Sequence, residues 1–219
     1  MVENAPRKSP VPVWAYVVGA LVLLLCLCGV AGVIGFVALR DKAEHGASAT
    51  GTPGGGDPAV PWQEQLAGIS GVQAYTPGAL SRKHVAEDAA TYPQSPPVGG
   101  DHADVWQNCQ GTVYSAPLPN ARAVHSLEHG AVWIAYRPDL DAAQVKKLSD
   151  RVAGHDYMLM SPYPGLDAAV SVQAWGYQLK VDSVDDPRID AFVTAARINA
   201  GPEPGAPCAG GTTETGPLK

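Results

Sequence analysis

Read from its start, the chain changes pattern twice. Val13 to Leu39 is apolar without one charged residue, and about 20 such residues are enough to cross a bilayer. The run is too long for a signal-peptide core, and no small-x-small cleavage site follows it before Arg40, which predicts a retained single-pass anchor over 13–39 behind a short tail, 1–12. From Arg40 to Val60 periodicity gives way to Gly, Pro, Ser and Thr, the composition of a flexible linker. Order returns beyond Pro61, in short pieces.

From Pro61 to Pro97 turn signals dominate: Gly68, Gly71, Pro77-Gly78 and Thr91 to Gly100, with short strands expected at Val72–Tyr75 and Lys83–Ala86. Val124 to His129 is expected as a short helical turn, because Gly130 suits the position that ends a helix and Ala131 to Tyr136 reads as a buried strand. A helix follows: Asp139 or Asp141 caps it, Gln144 lies three after Asp141, Leu140, Val145, Leu148 and Val152 form one stripe, and Gly154 ends it. Asp156–Pro162 and Ala169–Val181 read as strands. In the second, the apolar set shifts from Val170, Val172 and Ala174 to Tyr177, Leu179 and Val181, a change of parity that predicts a bulge or bend near Gly176. The last helix has Asp186 as cap, Pro187 at its first position, Ile189, Phe192, Val193 and Ala196 on one face, and Gly201-Pro202 as its stop. This order predicts an α+β domain over 61–208, with a mixed or antiparallel sheet and two helices, and a flexible tail over 209–219.

Charge narrows the partners. The first 60 residues hold four basic and four acidic side chains, so the net charge of −6 belongs to the domain, which has no basic patch for nucleic acid. Arg7 and Lys8 before the apolar run are matched by Arg40 and Lys42 after it, so charge does not orient the anchor. The short tail and the long linker do: they place the N-terminus inside and the domain outside the cell membrane. Cys26 and Cys28 lie within the apolar run, each after Leu, which does not fit a lipoprotein site. Cys109 and Cys208 are the cysteines left outside it, and an oxidising exterior favours their pairing. Closing a loop of that length stabilises by up to about 4 to 5 kcal/mol in the chain-entropy view. The competing reading makes one of them a soft metal ligand.

The candidate chemistry is concentrated between Ser95 and Pro138, which holds His102, His125 and His129 of the six histidines. On a helix, His125 and His129 share one face at i and i+4, close enough to hold one cation. On a strand they would lie roughly 13 Å apart, beyond the reach of a single ion.

Lys83-His84-Val85, Tyr92-Pro93, Pro96 to His102, Trp106 to Cys109, Val124 to Tyr136, Ser161 to Pro164, Ala174-Trp175-Gly176 and Pro204 to Cys208 resemble the bacterial family catalogued as domain of unknown function 3105. The resemblance covers the whole domain beyond the linker. It implies a membrane-anchored, mainly actinobacterial envelope domain and brings no established activity, so no catalytic residue is carried over. Where the family tends to read NCG-V-Y, this chain has Asn108-Cys109-Gln110-Gly111-Thr112-Val113-Tyr114, with an extra residue after Cys109.

Three functional readings follow. His102, His125 and His129, with His84 as a further candidate, satisfy the needs of zinc or copper. Met158 and Met160 alternate onto one face of a strand, and soft thioether sulfur there favours copper; core filling is the competing reading of both. The second reading is a structural or partner-binding envelope domain without metal, its histidines hydrogen-bonding the loops and its partner another envelope protein. The third is a zinc-dependent hydrolase. His125-Ser126-Leu127-Glu128-His129 matches H-x-x-E-H, in which Glu128 would activate water, but Gly130 and a β-rich run follow where that motif needs a sustained helix.

Overall fold

The computed structural model describes residues 60–216. The expected tail, anchor and all of the linker but Val60 lie outside the described residues. Among the described residues no helix is long and apolar enough to cross a membrane. The elements in chain order are α1 (Trp62–Gly68), β1 (Gln73–Ala74), β2 (Gln110–Val113), α2 (Asn120–Glu128), β3 (Val132–Tyr136), α3 (Ala142–Val152), β4 (Met158–Pro162), β5 (Val170–Ala174), β6 (Tyr177–Val181) and α4 (Arg188–Ala196). A 3-10 turn at Pro77–Ala79 lies between β1 and β2.

The strands form one mixed sheet in the order β1-β6-β5-β3-β4-β2. Strands β2, β3 and β4 run parallel, and β5 and β6 pair antiparallel with their neighbours. Parallel neighbours need a crossover, and α3 supplies it between β3 and β4. Asp141 caps α3 with both bonds of a capping box: its side chain accepts from Gln144 N, and the Gln144 side chain accepts from Asp141 N.

Strand alternation separates two cores. Val132, Ile134 and Tyr136 of β3 pack with Leu66 of α1, Leu148 and Val152 of α3, and Ile189, Phe192 and Ala196 of α4. Trp133 and Ala135 face the other way, onto Ala123, Val124 and Leu127 of α2, Trp175 and the two cysteines. The fold is thus an α+β sandwich with three helices on one face of the sheet and α2 on the other. Cys109 and Cys208 are joined in a disulfide in this second core.

Several expectations are corrected. Four helices stand where two were expected among the described residues, because α1 carries a single buried apolar position, Leu66, and so no stripe to read. Lys83–Ala86 is not a strand; His84 and His102 make one isolated parallel bridge. The long strand Ala169–Val181 is a hairpin. Ala174 pairs with Tyr177 across Trp175-Gly176, and a reversal shifts the parity of the apolar set as a bulge would. The extra residue after Cys109 falls in β2, whose register against β4 shifts between Gln110 and Thr112. The chain past Cys208 is held rather than loose as far as Glu214, whose carbonyl accepts from Gln107 Nε2 and Arg122 Nη1.

Gly176 is the position on which the hairpin turns. Its φ is +75°, and a Cβ there would stand 2.3 Å from Pro77 Cβ and 2.6 Å from Pro77 Cα. Gly176→Ala is therefore expected to destabilise the domain by about 2 kcal/mol or more, read as a lower midpoint in urea; an unchanged midpoint would show that the turn tolerates a side chain.

Candidate metal centre

Helix α2 is buried on every side. From Ala121 to Glu128 each residue is buried, although four of them are Arg122, His125, Ser126 and Glu128. Burying polar side chains is costly unless each finds a partner, and the surrounding loops provide them. Arg122 Nε pairs with the Glu87 carboxylate, and Ser126 Oγ donates to the Gln107 carbonyl at 2.6 Å. The helix ends as the glycine at 130 predicts. Gly130, at φ +93°, sends its N–H to Leu127 O and the following Ala131 N–H goes to Ser126 O, the paired bonds of a Schellman motif. The helical turn expected at 124–129 is the last part of this nine-residue helix.

At its C-terminal end α2 meets the loop segments at His84 and His102. One donor atom from each of His84, His102, His125 and Glu128 lies within 4.8 Å of the others. His129 adjoins them, its ring centroid 4.7 Å from that of His125, and Trp106 lies 5.6 Å from His125 and 5.2 Å from His129. His102, His125, Glu128 and His129 are buried, whereas the His84 side chain is 48% exposed.

Hydrogen bonding fixes which nitrogen of each ring faces inward. His102 Nδ1 donates to Gly100 O at 2.9 Å, His125 Nδ1 to Ala103 O at 2.7 Å and His129 Nδ1 to Pro207 O at 3.0 Å. A carbonyl oxygen only accepts, so these Nδ1 atoms carry hydrogen and each neutral ring keeps its lone pair on Nε2. His84 Nδ1 lies 3.2 Å from the Asp104 carboxylate in the same sense. This arrangement, with the outer nitrogen tied to a carbonyl or carboxylate and the inner one free, is that of metal-ligating histidines.

One contact calls for a positive charge. His102 Nε2 stands 2.9 Å from Glu128 Oε2, with both side chains almost wholly buried. Nε2 has no other partner. A neutral imidazole lone pair and a carboxylate this close repel each other, so a proton or a metal ion belongs between them. Burial opposes the charged form of His102, but the Glu128 carboxylate, the Gly100 carbonyl and the nearby Asp101 charge together outweigh it and raise the His102 pKa. Burial likewise opposes ionisation of Glu128, and the His102 contact overrides it, holding Glu128 below the ordinary carboxylate value. His125 is pushed down to about 4 by burial and by its histidine neighbours. Burial also lowers His129.

The site thus gathers His84, His102, His125 and His129 among the residues expected from the sequence, with His129 at the margin. It places Glu128 among the donors. Met158 and Met160 are corrected: both face the opposite core with Leu148 and Phe192 and take no part. Asp104, which holds His84, was not foreseen; the spacing His102-x-Asp104 was its one signal.

A cleft of about 700 Å³ is lined by Val85, Glu87, Asp88, Tyr92, Ala103 and Asp104, with no histidine in its wall. Residues 84–210, more than half of the chain, match the family described as protein of unknown function DUF3105. No curated protein and no solved structure is significantly similar to the chain.

The titrations give a signed prediction for the metal-free protein. Between the ordinary histidine value, 6.5, and about 4, an unfolded His125 binds a proton that the folded one refuses, so stability falls as pH drops through that window. The loss for His125 is on the order of 3 kcal/mol, and His129 adds to it in the same direction. His102 has its pKa raised, so its contribution is complete below 6.5 and is lost only as pH rises through its folded value. Urea denaturation at pH 7 and pH 5 should show the drop, and His125→Asn should flatten it. Equal stability at both pH values would mean that His125 titrates normally.

Proposed function

The chain belongs to the DUF3105 family, and we propose that its domain binds a divalent transition-metal ion through His84, His102, His125 and Glu128, with His129 beside them. The observation that carries this reading is the buried His102–Glu128 contact at 2.9 Å, two inward-facing acceptors that a cation reconciles. A second feature supports it: four histidines whose outer nitrogens are engaged and whose inner ones are free.

The donor set selects among ions. Imidazole and carboxylate suit zinc or Cu(II), whereas Cu(I) prefers sulfur. The preference for copper over zinc rested on Met158 and Met160, which pack in the other core, so it is withdrawn. A tetrahedral zinc keeps donors at about 2.0 to 2.1 Å and hence about 3.3 Å apart. The present spread of up to 4.8 Å asks the donors to draw closer around an ion, and His84, the exposed one, has the most room to move. The hydrolase reading loses ground, because Glu128 stands against His102 among the donors and its helix ends at that residue, where the motif needs a sustained helix.

The setting we propose is the outer side of a cell membrane, with the apolar run 13–39 as anchor and the disulfide as a mark of an oxidising compartment.

The test is elemental analysis of the full-length chain, purified without a polyhistidine tag and dialysed after separate exposure to zinc and Cu(II). About one ion per chain is expected in the parent, and none in a still-folded His102→Ala/His125→Ala variant. Asp104→Ala should retain the ion with affinity lowered about 10- to 100-fold, as for loss of a ligand's supporting partner. If the parent retains no ion, the histidines serve structure alone, and the domain is a structural or partner-binding one.

A further inference from the structure

Residues 203–214 return across α2 as a strap. Glu203 N donates to Glu128 O at 3.0 Å and Gly205 N to His129 O at 3.2 Å, so the strap takes up the last free carbonyls of the helix that carries three residues of the site. Pro207 O accepts from His129 Nδ1 at 3.0 Å. Cys208 O accepts from Trp106 Nε1 at 3.3 Å, which fixes the indole against His125 and His129. Thr212 and the segment Trp106–Asn108 then exchange two backbone bonds. The covalent tie in the middle of all this is Cys109–Cys208, joining positions 99 apart.

We infer that metal retention is coupled to this disulfide, so that the chain holds its ion tightly only after Cys109 and Cys208 have been oxidised. The inference rests on the metal reading of the site. Oxidation converts two thiols into one disulfide bond; two protons leave, and two electrons pass to an external protein disulfide, which becomes a dithiol. Once docked, Cys109 is fully buried and Cys208 is 4% exposed, so the bond closes as the strap settles and afterwards is protected from small thiols. The coupling therefore acts at maturation: a chain still in a reducing compartment holds metal more weakly than the oxidised one.

The side chains of three of the four donors are oriented outside the strap, His102 by Gly100, His84 by Asp104 and His125 by the Ala103 carbonyl. The strap holds the backbone of the helix end at Glu128 and His129 and the His129 ring. The core that holds α1, α3 and α4 against the sheet contains neither cysteine. The reduced chain is thus expected to keep its sheet while binding metal more weakly. Coupling free energies are reciprocal, so bound metal must in turn protect the disulfide.

The experiment uses the full-length chain loaded with zinc, with affinity measured by competition with a chromophoric chelator before and after reduction by a water-soluble phosphine. A 10- to 100-fold weaker affinity is expected after reduction, with far-UV circular dichroism retained. The rate of disulfide reduction should fall when zinc is present. His129→Ala cuts the ring-to-strap bond while leaving the disulfide and the four inner donors, and should shrink that protection. Equal affinity in both redox states would overturn the inference. Should the reduced chain unfold, the kinetic arm decides: protection by zinc that is undiminished in His129→Ala would overturn it, because stabilisation of the whole fold would then account for it. An oxidised chain that binds no zinc would instead remove the metal reading itself.

Discussion

A helix buried on all sides while carrying arginine, serine, glutamate and histidine is the constraint on which this structure turns. Neither the sheet nor the apolar core can satisfy such a helix, because both offer it only hydrocarbon and backbone groups already paired. The long irregular segments do so instead. Glu87 meets Arg122, the carbonyls of Gln107 and Ala103 meet Ser126 and His125, and the strap at 203–208 meets Glu128 and His129. What looks like loop excess between β1 and β2 is the solvation shell of α2, built from protein. The same bonds orient the chemistry: each loop carbonyl that accepts from a histidine Nδ1 turns the other nitrogen toward the centre.

The centre is asymmetric in a useful way. His102 and Glu128 are held in a place of low polarisability, where an uncompensated pair of acceptors is expensive. His84 stands half in water, tied by its outer nitrogen to an exposed aspartate. Under the proposed reading, a metal ion would meet three buried donors and one outer ligand with room to adjust, an arrangement that would bind it without sealing it from exchange. Without metal a proton fills the same place between His102 and Glu128, so on the proposed reading proton and metal would compete for one position.

Much of this was readable from pattern alone, and the exceptions have physical causes. The i, i+4 spacing of His125 and His129, the glycine after them, the capping box of α3 and the apolar face of α4 are local signals, and they led to the right elements. Helix α1 offers one buried residue and β2 four residues on an edge, too little periodicity to register. The hairpin at Trp175-Gly176 and a bulge leave the same parity shift in sequence, and only the pairing of Ala174 with Tyr177 tells them apart. The methionines alternate as ligands would, but which face of a strand points to which core is decided by the whole sheet. The meeting of His84 with His102 depends on one isolated bridge between two loops, and no spacing rule anticipates it. Glu128 as a donor follows from where His102 arrives, a tertiary fact.

The proposed site sets three imidazoles and one carboxylate around a metal ion, with no sulfur among them. X-ray absorption spectroscopy of the zinc-loaded, oxidised chain tests this most directly. The prediction is a first shell of nitrogen and oxygen at about 2.0 to 2.2 Å, with the multiple-scattering pattern of three imidazoles and no sulfur. A shell containing sulfur at about 2.3 Å, or one with a single imidazole, would contradict it.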